Sequence, residues 1–173
     1  VDITPPVITV AAPALTNDST PALTGTTDLP LGSTITLAVT GANGVTQPFT
    51  TTVQAGGVFA VDVPAALVSG PFSVIASGTD AAGNTASASD NGEVDTVPPT
   101  LTVDAPAMTN DSTPTLTGTT NLPVGATVTL TVTGANGAVQ TFMTTVQTGG
   151  TFSVDVPTAL VEGGFNVVAR GTD

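Results

Sequence analysis

The chain has 173 residues, room for one or two domains, with 40% apolar residues and only 3% aromatic, every aromatic a phenylalanine. A single cation, Arg170, stands against thirteen carboxylates for a net charge of −12. That balance excludes nucleic acid and anionic membrane surfaces, which are gripped through basic side chains, and favours cations as partners.

Histidine, cysteine, tyrosine, tryptophan and lysine are all absent. General-base work by imidazole, a Ser-His-Asp triad, zinc sites built on His or Cys, and disulfides are therefore excluded. The lack of cysteine fits a secreted protein, and cytosolic proteins can lack it too. No apolar run approaches the ~18 residues of a membrane span, so no membrane insertion is expected. No basic segment followed by an apolar one marks a signal peptide, and the chain starts in mid-pattern, as a piece of something longer would.

Taken in chain order, the dominant signal is alternation at period two. After the Pro5-Pro6 break, Val7 to Val10 reads as a first strand. The stretch "TNDST" is a turn, with Asn17 and Asp18 able to bond their own backbone. "PALTGTT" is a second strand, with Pro21 confined to its start or an edge. "DLPLGS" is a turn. "TITLAVTG" is a third strand, with Ile35, Leu37 and Val39 on one face and threonines on the other. "GANG" predicts a type I′ hairpin, since Asn-Gly supplies positive φ. "QPFTTTVQ" and "VFAVDV" are the fourth and fifth strands, joined by "AGG". "PAALVSG" has room for one helical turn. "PFSVIASGT" is a sixth strand, "DAAGN" a turn, and "TASASDNGEV" a seventh.

Short strands with turns about every 8–12 residues are the mark of a β-sandwich. Phe49, Phe59 and Phe72, with Phe142, Phe152 and Phe165 further on, fall on the fourth to sixth strands and are expected in the core.

The whole pattern then recurs. "VDITPP" at Val1 returns as "VDTVPP" at Val94, and the offset of 93 residues holds without a gap to Asp173. Roughly 55 of 80 aligned positions are identical, the level of a tandem array. A period of this size is that of an independent sandwich of ~100 residues, not a solenoid unit. The expected architecture is all-β: two immunoglobulin-like sandwiches of about seven antiparallel strands each, strung end to end. Their expected spans are 1–94 and 95–173, the second without a counterpart of the last strand.

Parity then sorts the loops. If odd strands run one way and even strands the other, the second, fourth and sixth turns share an end with the start of the repeat. The first, third and fifth turns share the opposite end with its exit. Asp2, Asp28 and Asp80 fall at the first of these ends, as do Asp95, Asn121 and Asp173 in the second copy. Asn17, Asp18, Glu93 and Asp95 fall at the exit of the first copy. The junction is thus expected to gather Asp18, Glu93, Asp95 and Asp173, a set of hard oxygen donors suited to Ca²⁺, which takes six to eight. Mg²⁺ demands tighter geometry and fits less well. No EF-hand pattern is present. The blander reading of the same acids is turn chemistry and solubility. Asp62 and Asp155, in mid-strand, read as solvated, and Asp104, which stands where the first copy has Ala11, as incidental.

Paired aspartates can hydrolyse glycosides, but these lie in turns and no aromatic platform for a sugar accompanies them, so neither catalysis nor a small-molecule substrate is expected. Ice binding needs a flat unbroken threonine array, whereas the threonines here are interrupted at every turn.

The stretches "LTNDSTPxLTGTT", "VDVPxAL" and "GTDAAGNT", in this order and spacing, resemble the Ig-like repeats of giant type I-secreted bacterial adhesins of the RTX or biofilm-associated kind. The resemblance covers essentially the whole chain. It implies an extracellular extender, anchored to the outer membrane through other regions, that projects a distal ligand-binding region while Ca²⁺ stiffens its joints. The implied ligands are Asp2 and Asp95 of the linkers, Asp80 and Asp173 of the sixth turn, and Asp18 of the first, while Asp111 would serve a further repeat. The expected partners are neighbouring repeats of the same chain. The alternative reading is an adhesive module that itself binds a glycan, ice or a protein. Such a module would diversify its loops, yet "TNDST" and "TGANG" are identical in both copies.

Overall fold

The computed structural model describes residues 1–173. The chain forms two compact units, Val1–Val97 and Pro98–Asp173, and contains no helix.

Unit 1 has seven strands: β1 (Ile8–Ala11), β2 (Ala22–Thr27), β3 (Thr34–Thr40), β4 (Thr46–Thr52), β5 (Val58–Asp62), β6 (Gly70–Thr79) and β7 (Thr85–Val94). They form two sheets, in the orders β1-β2-β5 and β4-β3-β6-β7. Every pairing is antiparallel and joins an odd strand to an even one. Alternation decides which side chains go in. On β3, Ile35, Leu37 and Val39 have no exposed surface, while Thr34 and Thr36 face outward. Leu23 from β2, Phe59 from β5, and Phe72, Val74 and Ala76 from β6 complete the buried layer. Phe49 packs on the same core from the edge strand β4 and stays half-buried.

The first segment belongs to both sheets. β1 pairs with β2, then the chain crosses to the far edge: the Ala12 amide donates to Asp90 Oδ2 at 2.9 Å, and Thr16 bridges Val94 in parallel. Gly92 marks the crossing. A Cβ there would overlap the Pro13 carbonyl and lie 2.6 Å from the Phe72 ring.

Unit 2 repeats the plan with β8 (Thr115–Thr119), β9 (Thr127–Thr133), β10 (Val139–Thr145), β11 (Thr151–Asp155) and β12 (Asn166–Arg170), in the sheets β11-β8 and β10-β9-β12. The counterpart of β1 is reduced to two isolated bridges, Leu101 to Thr120 and Asp104 to Thr117. In unit 1 this segment is held from β2 on one side and β7 on the other, and no counterpart of β7 lies within these residues.

Two local expectations are corrected. The "GANG" turn is not type I′, because Gly44 alone takes positive φ (75°) and no non-glycine residue does so. Gly44 N donates to Gly41 O at 2.9 Å, and Gly41 N to Val45 O at 3.1 Å. This is a type I turn closed by a left-handed glycine, the three-residue hairpin with a G1 bulge. The "PAALVSG" segment forms no helical turn. Gln47 clamps both backbone groups of Ala65, through Nε2 at 2.9 Å and Oε1 at 3.1 Å, and Leu67 N donates to Ser19 O at 2.8 Å. Those lateral bonds take the groups a helix would need. Gln140 holds Thr158 in the same way in unit 2.

Candidate functional site

The acids lie in loops at the two ends of the sandwich, and hydrogen bonds fix which loops share an end. At the leading end of unit 1, Asp28 Oδ1 accepts the Val7 amide at 2.8 Å, tying the second turn to the start of the repeat. Asn84 Nδ2 reaches the Asp2 carbonyl at 3.3 Å, which brings in the sixth turn. Thr27 N donates to Gly57 O at 2.7 Å, which brings in the fourth. Asp2, Asp28 and Asp80 therefore share one end. At the trailing end, Thr16 N donates to Glu93 O at 3.0 Å and Asp95 N to Thr16 O at 2.8 Å, so the loop bearing Asp18 lies against Glu93 and Asp95. Ser69 bonds Thr96 at 2.9 Å and adds the fifth turn.

Most of these carboxylates already do local work. Asp18 Oδ1 accepts from the Thr20 amide (2.8 Å) and hydroxyl (3.0 Å), Asp2 Oδ1 from Thr4 N (3.0 Å) and Asp95 Oδ1 from Val97 N (3.0 Å). These are Asx-type turns that spare backbone amides from being unpaired. In Asp2, Asp18, Asp28 and Asp95 the second oxygen is left to solvent. Asp80 is more fully used: Oδ1 accepts from Ala82 N (2.9 Å) and Asn84 N (2.8 Å), and Oδ2 from Asn84 Nδ2 (2.9 Å). Glu93 and Asp173 are exposed and make no side-chain hydrogen bond. No three acidic side chains gather closely enough to hold a metal ion. What these loops offer a cation is single carboxylate oxygens, which carbonyls and water would have to complete.

The Asp28 to Asn121 difference has a physical reading. Asn121 Oδ1 accepts the Thr100 amide at 2.8 Å, the bond Asp28 makes to Val7. The position needs an acceptor oxygen and not a charge. Asp28→Asn is thus expected to leave stability within about 0.5 kcal/mol, and Asp28→Ala to cost about 1 kcal/mol, by urea denaturation. Equal losses in both variants would show that the charge itself matters.

Sequence reasoning missed Asp90. It lies on the inward face of β7, and its carboxylate fastens the end of β1 through the Ala12 amide. The signal was its parity: in "TASASDNGEV" it shares a face with Ala86, Ala88, Gly92 and Val94. Hydrogen bonds from the Ala12 and Asn91 backbone hold its pKa below the usual aspartate value, and bonds from Asn84 do the same for Asp80. A depressed folded pKa contributes stability that is fully present above the unfolded value, about 4, and is lost as pH falls through the folded one. Melting temperature should therefore fall with acidification below pH about 4, and less steeply in Asp90→Asn. An unchanged acid slope in that variant would contradict the assignment. Asp62 is exposed, as is Asp155, which accepts the Thr115 hydroxyl across β8 and β11. Asp104 contributes its backbone to the bridge with Thr117.

The family described as bacterial Ig-like domain matches residues 9–96 and 101–173. A solved chain described as a Ca²⁺-stabilized adhesin that helps an Antarctic bacterium reach out and bind ice is 28% identical, with a TM-score of 0.55 over 99% of this chain and 49% of that one. A tetra-tandem repeat from the extending region of a large adhesion protein is 30% identical over 96% of this chain and 45% of that one, with a TM-score of 0.48. A single bacterial immunoglobulin-like domain from the M. primoryensis ice-binding adhesin is 31% identical over 53% of this chain and 99% of that one, with a TM-score of 0.35. The chain spans about half the length of the first two. No curated protein matches it.

Proposed function

Because the chain belongs to the bacterial Ig-like domain family, we propose that it is a spacer segment of a large bacterial surface adhesin, one whose product is length and stiffness. The observation that carries this reading is what the repeat conserves. Between the two copies the loops "TNDST" and "TGANG" do not change, while many differences are exchanges of like for like, such as Ile35 for Val128, both fully buried. A binding module would vary its loops and keep its core. The likeness to the Ca²⁺-stabilized adhesin supports the same reading.

In this reading calcium is held by the loop carboxylates at the ends of each repeat: Asp2, Asp28, Asp80, Asp95 and Asp173 at leading ends, Asp18 and Glu93 at trailing ones. Asp80, with both oxygens already bonded within its own loop, contributes least. The ion's stabilisation follows its free concentration, about 2.7 kcal/mol at a hundredfold excess over Kd. Thermal melting of the chain is expected to rise with added CaCl₂ and saturate, to revert with EGTA, and to respond less in Asp95→Asn. A melting temperature indifferent to millimolar Ca²⁺ would leave these acids as turn and solubility residues.

A further inference from the structure

Strand β10 forms one edge of its sheet, paired with β9 and with no strand beyond it. Gly134 N donates to Ala138 O at 2.9 Å, which sets the alternation along the pair. Gln140, Phe142 and Thr144 therefore turn their backbone groups toward β9. Val139, Thr141, Met143 and Thr145 turn theirs to the free edge. The inward side chains are engaged: Gln140 clamps Thr158, and the Thr144 hydroxyl donates to Ser153 O at 3.2 Å.

Edge strands are commonly blunted against self-pairing by proline or by charge. In unit 1 the matching edge is β4, where Pro48 stands at the position of Thr141 and has no N–H to offer. β10 has neither device, and no charged residue lies between Asp111 and Asp155. The two copies differ on this strand along one face alone. Gln47, Phe49 and Thr51 recur inward as Gln140, Phe142 and Thr144, whereas Thr46, Pro48 and Thr50 are replaced outward by Val139, Thr141 and Met143. Val139 is 62% exposed and Met143 68%.

We propose that the β10 edge of unit 2 pairs with the β10 edge of a second copy of this chain, antiparallel, about a twofold axis through Thr141. In that register Thr141 lies opposite its own counterpart, and the amide of each meets the carbonyl of the other. Val139 of each copy lies opposite Met143 of the other, so the two exposed apolar side chains cover one another twice. The strand is its own complement. A chain of net charge −12 repels its copies wherever carboxylates face each other, and along this edge none do. The same face of the sheet carries Arg170, in line with Thr129 and Met143, and no acid. The joined units share one continuous sheet and point in opposite directions. Chains that meet from facing surfaces have that arrangement, a consequence that rests on the spacer reading, whereas the pairing itself does not.

Sedimentation velocity of the 173-residue chain in EGTA, which removes calcium bridging, tests the pairing over a concentration series up to about 1 mM. A monomer–dimer equilibrium with no larger species is expected. At high concentration the amides of Val139, Thr141 and Met143 should exchange more slowly, and those of Gln140 and Phe142 should not change. Thr141→Pro copies what β4 already accommodates, so its melting temperature should hold while the dimer dissociation constant rises about tenfold or more. The chain has no cysteine of its own, so single cysteines report the register. Under mild oxidation Thr141→Cys should link two copies, since Cα atoms of such a pair are about 5.5 Å apart. Thr145→Cys should not, because its two positions are about 27 Å apart at ~3.4 Å per residue. A monomer at every concentration, a Thr141→Pro dimer as tight as the native one, or equal cross-linking of both cysteine variants would overturn the proposal.

Discussion

Replacing Phe59 with alanine is expected to destabilise unit 1 by about 3–5 kcal/mol. Phe59 is 1% exposed and stands on β5 opposite Gly25 of β2. With no tryptophan or tyrosine in the chain, the three phenylalanines of unit 1 supply its only aromatic bulk. Of these Phe49 is half-buried at an edge and Phe72 sits against β7, so Phe59 alone fills the middle of the three-stranded sheet's inner face. The core residues that would have to collapse into the space, Leu23, Ile35 and Val63, are themselves almost fully buried, and the β-branched Ile35 and Val63 adjust little. The lost transfer energy is therefore compounded by a residual cavity. Circular dichroism against urea is the measurement, since tryptophan fluorescence is not available. A midpoint shift worth less than about 1 kcal/mol would contradict this packing.

Gly25→Ala should destabilise by about 1–3 kcal/mol or more, although alanine is ordinarily tolerated better than glycine in a strand. The backbone here is ordinary, with no positive φ, so the penalty is one of space. A Cβ would overlap both the Thr9 carbonyl oxygen and the Phe59 ring. Gly118 repeats the arrangement with Thr102 and Phe152, and its alanine variant should behave alike. The two sites in unit 1 also predict their own coupling. Truncating Phe59 removes one of the two overlaps, so Gly25→Ala with Phe59→Ala should cost less than the sum of the single changes. Strict additivity would mean that ring and glycine do not touch.

How much of this was legible depends on the range of the physics. The strands were, because burial on one face imposes period two over a few residues, as Thr34 to Thr40 shows. The grouping of loops at the two ends followed from parity alone, and the bonds from Val7 to Asp28 and from Thr16 to Glu93 and Asp95 agree with it. What escaped depends on partners distant in sequence. Gln47 and Ser19 capture the backbone of residues 65–67, and nothing in "PAALVSG" announces that. The turn at Asn43 is decided by one dihedral, which Asn-Gly allows in more than one way. Asp90 gains its role from the Ala12 amide, which reaches it only because the chain after β1 crosses toward β7. The carboxylates were identifiable as oxygen donors, but that Asp28 spends its oxygen on Val7, and Asp80 both of its oxygens on its own loop, is a matter of folded geometry.

A spacer stiffened by calcium should reveal itself in small-angle scattering of the 173-residue chain in millimolar Ca²⁺ and then in EGTA. The expected result is a long, well-defined maximum dimension with the ion and a broader distribution of distances without it. Identical profiles under both conditions would contradict cation control, and a short maximum dimension in Ca²⁺ would contradict the spacer itself.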